Sequence, residues 1–506
     1  MDTTPYWLDS APLPRFAAID RNMAVDVAIV GAGITGITAA WLLKRAGLTV
    51  ALLERGECAH ADTGHTTAHL TCVTDERLHR LARQFGKEGA RATWDAGAAA
   101  IDQISALVRE HDIDCGFRWV PGHLLAPLGG VDRKSKNELK RESDAAGELG
   151  ISALAVDAVP FFNLPGLTFP YQALFHPRRY LAALVRRISG EGSEVFEQTA
   201  VEEITGDPLT VHAGGYTVRC RHVFLATHTP LMGRAGAIGA TLFQSKLALY
   251  SSYALGAQIP AGLIPEGAYW DLSDPYYYLR VERHGEHDYA IFGGEDHKTG
   301  QEADTAEAFL RLEEKFLAHV PGARVDHRWS GQVIETHDGL PYIGEVAAGQ
   351  FIATGFAGNG MTFGTLGAMM FADAVLGRTN PWQKLFDPGR KKARGGTWSF
   401  LTENKDYPYY MLRDRLGGSE GTSLEALGRD EGRILKLDGH KVAAYRASDG
   451  TVTLCSPVCT HLGCIVAWNN AEHTWDCPCH GSRFKPTGEV MSGPAEKPLE
   501  RLPDSG

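Results

Sequence analysis

Two short loops near the C-terminal end each pair a thiol with an imidazole. They read Cys459-Thr-His461-Leu-Gly-Cys464 and Cys477-Pro-Cys479-His480-Gly-Ser482, with a short spacer between His461 and Cys477. Cys459, His461, Cys477 and His480 make a donor set of two thiolates and two imidazoles. That set suits a [2Fe-2S] cluster with sulfur ligands on one iron and nitrogen ligands on the other, the histidines raising its potential. Zinc competes for the same donors in a tetrahedral site. Zinc fingers, however, place paired Cys before paired His, whereas here each loop mixes the two. The Gly and Pro residues of both loops let backbone amides turn in toward the sulfides. Five of the nine cysteines fall within residues 455–479, while Cys58, Cys72, Cys115 and Cys220 are scattered singly and read as buried apolar filler.

A second pattern with chemistry in it stands near the other end. Gly31-Ala-Gly33-Ile34-Thr35-Gly36 follows the strand-like run Val25-Asp-Val-Ala-Ile-Val30 and precedes an apolar helix over residues 37–46. A second strand, Leu48-Thr-Val-Ala-Leu-Leu53, then ends at Glu54-Arg55. Glycines at this spacing let the chain turn tightly and bring a pyrophosphate onto a helix N-terminus. Glu54, at the end of the second strand, falls where it can accept hydrogen bonds from an adenosine ribose. The fingerprint alone does not separate NAD from FAD.

These two sites need two kinds of scaffold. The first is a βαβ unit opening a parallel sheet. The second is a small antiparallel β domain, foreshadowed by short alternating runs such as Gly432-Arg-Ile-Leu-Lys-Leu437 and Lys441-Val-Ala-Ala-Tyr445. Between them, residues 386–423 are rich in Lys, Arg, Gly, Pro and Tyr and include Asp387-Pro-Gly-Arg-Lys-Lys-Ala-Arg-Gly-Gly396, which reads as a linker crossing the surface of the first unit.

The Cys/His loops resemble the Rieske proteins of cytochrome bc complexes. In that family the two further cysteines, here Cys464 and Cys479, form a disulfide that ties the loops together, a pair that Rieske oxygenases lack. The family also has a Ser and a Tyr that hydrogen-bond to cluster sulfurs. Ser482 matches the Ser, but Phe484 stands in place of the Tyr. Loss of a donor makes the reduced, more negative cluster harder to form, so a potential below that of the respiratory complexes is expected.

Residues 24 to 380 resemble the glycine oxidase and D-amino acid oxidase family, with the matching segments in the correct order. Thr63-Gly64-His65-Thr66-Thr67-Ala-His69 stands where the family places its flavin-contacting loop. Phe175-His-Pro-Arg-Arg-Tyr180 looks like the turn before a long helix. Glu197-Gln-Thr-Ala-Val201-Glu matches the strand that meets the adenine, and Val223-Phe-Leu-Ala-Thr227-His a later strand of the nucleotide site. Asp338-Gly-Leu-Pro-Tyr-Ile-Gly344 precedes Gly358-Asn359-Gly360-Met361-Thr362, whose amides in the family point at the flavin pyrimidine. The resemblance implies FAD. It also implies a Rossmann-like α/β FAD-binding domain (residues 24–90, 175–235 and 330–380) interleaved with an α+β substrate domain (91–174 and 236–329). The whole, with residues 1–385 as the oxidoreductase and 424–506 as the Rieske domain, is similar to bacterial FAD-dependent oxidoreductases that carry a C-terminal Rieske domain. His65 and His69 also admit covalent flavin attachment, against the blander reading of a polar, hydrogen-bonded loop.

The resemblance implies oxidation of a C–N bond in an amine or amino acid, with hydride passing to flavin and electrons leaving through the cluster to an external carrier such as a ferredoxin, a cytochrome or a quinone-linked protein. Relatives acting on α-amino acids carry an Arg where this chain has Val333, which weakens the case for a carboxylated substrate. Arg280, in Tyr276-Tyr-Tyr278-Leu-Arg280, is the nearest substitute unless it is a strand residue facing solvent. The aromatic triplet, Tyr278 included, either lines an amine pocket or packs a sheet. The alternative function is an electron-transfer or redox-sensing protein serving a partner enzyme.

Bulk properties fit this reading. The 506 residues are 44% hydrophobic with a formal charge of −11, which argues against nucleic acid as a partner. No apolar run of transmembrane length and no secretory leader are visible, so a cytoplasmic protein is expected.

Overall fold

The computed structural model describes residues 1–229, 247–390 and 420–503. Most of the expected linker therefore lies outside the described residues. Strand β1 (Val27–Val30) is buried throughout and leads through the glycine turn into helix α1 (Ile34–Arg45), which returns to strand β2 (Val50–Leu53). The helix begins at Ile34, ahead of its apolar run, because Gly33 is its N-cap and Gly36 lies inside its first turn. A Cβ on Gly36 would sit 1.8 Å from the Gly31 carbonyl oxygen, so the glycine serves close packing of helix on strand.

The first sheet has six strands, in the order Tyr342–Ala347, Gln350–Thr354, His222–Leu225, β1, β2, Glu194–Phe196. All neighbours are parallel except the edge hairpin formed by the first two. Helix α2 (Leu78–Glu110) is broken at Gly86, whose φ of 78° leaves the helical region. The turn at Phe175, expected to open a long helix, leads only into the short helix Pro177–Val185.

The second sheet has eight strands and is mainly antiparallel. Strands β3 (Leu247–Pro260), β4 (Tyr278–Arg283), β5 (His287–Lys298) and β6 (Arg324–Thr336) form one half in the order β6-β3-β5-β4. The sheet continues through Gly267–Asp271, Arg118–Leu125, Gly166–Leu174 and Leu154–Val156. β6 then leads back to the first sheet, and helix α3 (Gly360–Val375) follows the turn at Gly358. The expected α/β unit with an interleaved α+β partner is what the chain forms.

The C-terminal part is two small antiparallel sheets, Glu431–Leu437 with His440–Arg446 and Val452–Cys455, and Ala467–Asn469 through Thr474–Asp476 and Arg483–Phe484 to Val490–Ser492. It has its own apolar core around Trp475 and Phe484, both fully buried. It also contacts the second sheet closely. Ala471 is buried in the core of the eight-stranded unit, and its amide donates to Thr305 Oγ1 at 3.1 Å. Ser330 Oγ donates to Glu472 Oε2 at 2.7 Å, and Gln301 Nε2 to the Pro478 carbonyl at 3.0 Å. Arg483, buried between Glu472 (2.7 Å) and Asp476 (3.1 Å), braces the same corner. Among the described residues no helix is long and apolar enough to cross a membrane.

Candidate functional site

A cavity of about 580 Å³ runs between the two sheets. One wall is the glycine turn, with Gly31, Gly33, Ile34 and Thr35 facing it. A Cβ on Gly31 (φ +100°) would lie 2.6 Å from the Ala226 carbonyl, and one on Gly33 would lie 2.9 Å from Thr63 Oγ1. The bare backbone is thus a cradle that only glycine permits. Glu54 and Arg55 line the same end, and Glu54 is held by the amides of Ala32 and Gly56, each at 2.8 Å. Thr63, Thr66, Thr67, Val201, Gly358, Asn359, Gly360 and Met361 also reach the cavity. Gly36, Gly64 and Thr362 stand one layer back. Thr362 Oγ1 donates to the Thr71 carbonyl at 2.8 Å and holds the α3 turn against the cavity wall. The cavity, the glycine cradle and the acidic residue at its end fit an extended dinucleotide such as FAD.

The other end is polar and aromatic. Tyr276 OH lies 3.2 Å from both carboxylate oxygens of Asp75, and Tyr278 OH lies 2.6 Å from Ser252 Oγ. Asp296 lines the same end, with its Oδ1 buried and without a hydrogen-bond partner. Burial pushes the Asp75 carboxyl up to about 6 and that of Asp296 up to about 7, the Ser252 hydroxyl partly offsetting the latter. A Cβ on Gly358 would lie 2.7 Å from Asp75 Oδ2, so this acidic end abuts the turn before α3. Asp75, Asp296 and Ser252 carry no sequence signal, because they meet only when the loop before α2 folds against β3 and β5.

Arg280 does not reach the cavity. It is fully buried, ion-paired with Glu282, and donates to the Ala68 carbonyl at 2.7 Å and the Phe175 carbonyl at 3.2 Å, with its guanidinium 5.1 Å over the Trp7 ring. Burial alone would raise the Glu282 carboxyl, but the charge of Arg280 holds it down to about 2. Arg280 is a buried structural ion-pair partner, neither solvent-facing nor available to a carboxylate. Tyr278, the first residue of the same strand, faces the cavity. His69 lines the cavity too, and burial followed by the Arg280 charge depresses it to about 3, leaving a neutral ring.

In the C-terminal domain the two Cys/His loops converge. The His461 and His480 rings are 4.9 Å apart and nearly perpendicular. Burial lowers both to about 4, so the imidazoles are neutral and able to ligate. Cys459 and Cys477 lie in hydrogen-bond contact; the amides of His461 and Leu462 and the Ser482 hydroxyl are directed at the first thiol, and those of Cys479 and His480 at the second. Cys464 and Cys479 form the expected disulfide. The sulfurs of Cys464, Cys477 and Cys479 converge within 4.8 Å, but two of them are spent on that bond. The remaining two thiols and two imidazoles, with amides aimed at the sulfurs, fit a [2Fe-2S] cluster.

The two sites share a wall. Met491, Ser492, Gly493, Ala495, Glu496 and Lys497, at and beyond the end of the last strand of the C-terminal domain, line the dinucleotide cavity. Arg55 Nη2 donates to the Met491 carbonyl at 2.5 Å, and the Ala495 amide donates to Ser482 Oγ at 3.1 Å. Nothing in the sequence marks residues 491–497 as part of the first site, since the partners they meet there belong to distant parts of the chain.

Comparison with known proteins agrees with this geometry. The family model for FAD dependent oxidoreductases (DAO) matches residues 26–374, and that for the Rieske [2Fe-2S] domain matches residues 423–503. A Rieske 2Fe-2S iron-sulfur protein of Bacillus subtilis is 33% identical over 98% of this chain and 97% of its own length. Gamma-glutamylputrescine oxidoreductase of Escherichia coli is 22% identical over 82% of this chain and 99% of its own. Among solved structures, glycine oxidase from Geobacillus kaustophilus superposes with a TM-score of 0.61 at 19% identity, covering 73% of this chain and 99% of that one.

Proposed function

Because this chain belongs to the DAO family of FAD-dependent oxidoreductases and carries a C-terminal Rieske domain, we propose that it oxidises a C–N bond of an amine and passes the electrons to an external one-electron acceptor. FAD, when bound, accepts hydride from the carbon bearing the nitrogen, and the [2Fe-2S] cluster carries electrons singly. The observation that carries the reading is the shared wall, in which residues 491–493 and 495–497 of the Rieske domain line the dinucleotide cavity. A cluster-bearing domain docked against that cavity supports the reading that it takes up the electrons released there.

The residues Gly31, Gly33, Ile34, Thr35, Glu54, Arg55, Thr63, Thr66, Thr67, Val201 and 358–361 would hold FAD, while Gly36, Gly64 and Thr362 support them from behind. Cys459, His461, Cys477 and His480 would hold the cluster, with Ser482 donating to the Cys459 sulfur. At the polar end, Tyr276 orients Asp75, and Ser252 sits between Tyr278 and Asp296. Two carboxylates flanked by aromatic faces favour a cationic nitrogen over a carboxylated group. An amine must lose its proton before its α-carbon can yield hydride, and Asp296, raised to about 7, is suited to receive that proton. In this reading the chain works in the cytoplasm, and its acceptor is a ferredoxin, a cytochrome or a quinone-linked carrier.

The test is anaerobic mixing of the holoprotein with amines and with their α-carboxylated counterparts. The expected result is bleaching of the flavin by an amine, followed by the EPR signal of a reduced Rieske cluster. Reduction by NADH with no response to any amine would overturn the proposal.

A further inference from the structure

One side chain belongs to both sites. Gln332 lies on β6 and lines the dinucleotide cavity. Its Nε2 donates to the Gly481 carbonyl at 2.8 Å, and its Oε1 accepts from Ser492 Oγ at 2.6 Å. The first partner is the residue between the ligand His480 and the sulfur donor Ser482. The second opens the loop that packs on both cluster loops, through Ala495 on Ser482 and Lys497 on Thr460, and walls the cavity. We propose that Gln332 is a positioning residue for electron passage, fixing the cluster-bearing loop and the loop over it in register with the flavin cavity; this extends the function proposed above.

The surroundings leave the amide little freedom. Gly331, the preceding residue, would place a Cβ 2.9 Å from the His65 carbonyl, so β6 lies directly against the loop 63–69. Gly481 (φ +71°) would place a Cβ 2.6 Å from Leu249 Cβ on β3, so the cluster loop rests on the sheet without a gap. Thr299 Oγ1, 3.3 Å from Gln332 Nε2, holds the donor end from the other side and is itself 3.0 Å from Ser251 Oγ. The amide is therefore oriented, with its nitrogen on one loop and its oxygen on the other. The interdomain bond of Ser330 to Glu472 joins the same surfaces without touching either cluster loop or the cavity, whereas Gln301 reaches the Pro478 carbonyl of the second cluster loop and does not line the cavity. A site held to within a fraction of an ångström by such a contact loses function when the contact goes.

The experiment separates positioning from general docking. In the holoprotein, the flavin is reduced by a flash with a deazaflavin and EDTA as electron donor, so no amine is needed. One electron then passes from reduced flavin to one ferric ion of the cluster, a flavin proton goes to water, and the second electron stays on the flavin because no external acceptor is added. Gln332→Leu is expected to slow cluster reduction about tenfold or more, by analogy with the cost of a ~1 Å misplacement. It should also speed amide exchange over residues 480–483 and 491–496. Ser492→Ala should give part of both effects, Ser492→Thr should restore them, and Ser330→Ala should give neither. Unchanged transfer and exchange in Gln332→Leu, with FAD and cluster contents intact, would overturn the inference. Equal slowing in Ser330→Ala would also overturn it, since the effect would then be one of docking alone. If the wild-type cluster is not reduced by flavin at all, the function proposed above fails, and the exchange measurement still decides whether Gln332 holds the two loops.

Discussion

The glycine turn at residues 31–36 and the cluster loops at 459–464 and 477–482 do similar work by different means. Both present backbone amides to a negatively charged group. The glycine turn is held by its own sheet, where Gly36 packs on Gly31 within the βαβ unit and Gly31 on Ala226 after the neighbouring strand, all backbone against backbone. The cluster loops are held by a disulfide between them and by side chains from the other domain, Gln301 on Pro478 and Gln332 on Gly481. A cradle made of main chain fails if one atom is added. A cradle made of side chains fails by degrees.

The largest expected effect tests the first half of that contrast. In Gly36→Ala the new Cβ has to displace a carbonyl 1.8 Å away, so loss of FAD and a destabilisation of about 3 kcal/mol or more are expected, read as flavin content and thermal midpoint. Cys459→Ser should show the complementary result, a chain that keeps its flavin absorbance and lacks the Rieske EPR signal. Loss of both cofactors together would mean the two sites do not fold separately.

Next in size is Arg483→Met. It strands Glu472 and Asp476 in the interdomain corner, and removal of one partner from a buried ion group costs about 3–5 kcal/mol. Urea unfolding followed by cluster absorbance is the measurement, and it should move further than flavin fluorescence does.

A smaller effect follows from Asp75 and Asp296. Both carboxyls keep their protons to a higher pH in the folded protein than in the unfolded chain, from an ordinary value of 3.8 up to about 6 and about 7. Their contribution to stability therefore falls as the pH rises from about 4 to about 7, while amine affinity rises as the carboxylates form. Flavin difference spectra should show tighter amine binding at pH 8 than at pH 6, by about tenfold for one ionisation across a pKa near 7, and Asp296→Asn should flatten that dependence.

The smallest is Phe484→Tyr. Phe484 is fully buried and pairs across the strand with Trp475. A phenol directed at the cluster would add one hydrogen bond of about 1 kcal/mol, which corresponds to roughly 45 mV upward for one electron. A redox titration with no rise would show that the ring position cannot serve as a donor.

Legibility in the sequence followed distance along the chain. The glycine turn and Glu54 lie in one βαβ unit, and the four proposed cluster ligands all fall between Cys459 and His480, so spacing alone singled out both groups. The family resemblance then carried the order of the nucleotide segments and the disulfide. Arg280 misled because strand alternation separates two faces without saying which of them a second sheet or Trp7 will cover. Asp75 and Asp296 stayed hidden because one precedes α2 and the other lies on β5, and they meet only through the eight-stranded sheet. The seam at Gln332 was equally silent, its partner Gly481 belonging to a different domain.

The wall contributed by residues 491–497 also constrains how the holoprotein is put together. Those residues follow Arg55 far along the chain, and Arg55, beside the glycine cradle, is bonded to one of them, Met491. A flavin captured while the first unit folds would be sealed in when the iron-sulfur domain settles. A flavin arriving later would have to wait for that domain to lift. On that footing, retention of the nucleotide would depend on how firmly the iron-sulfur domain is docked.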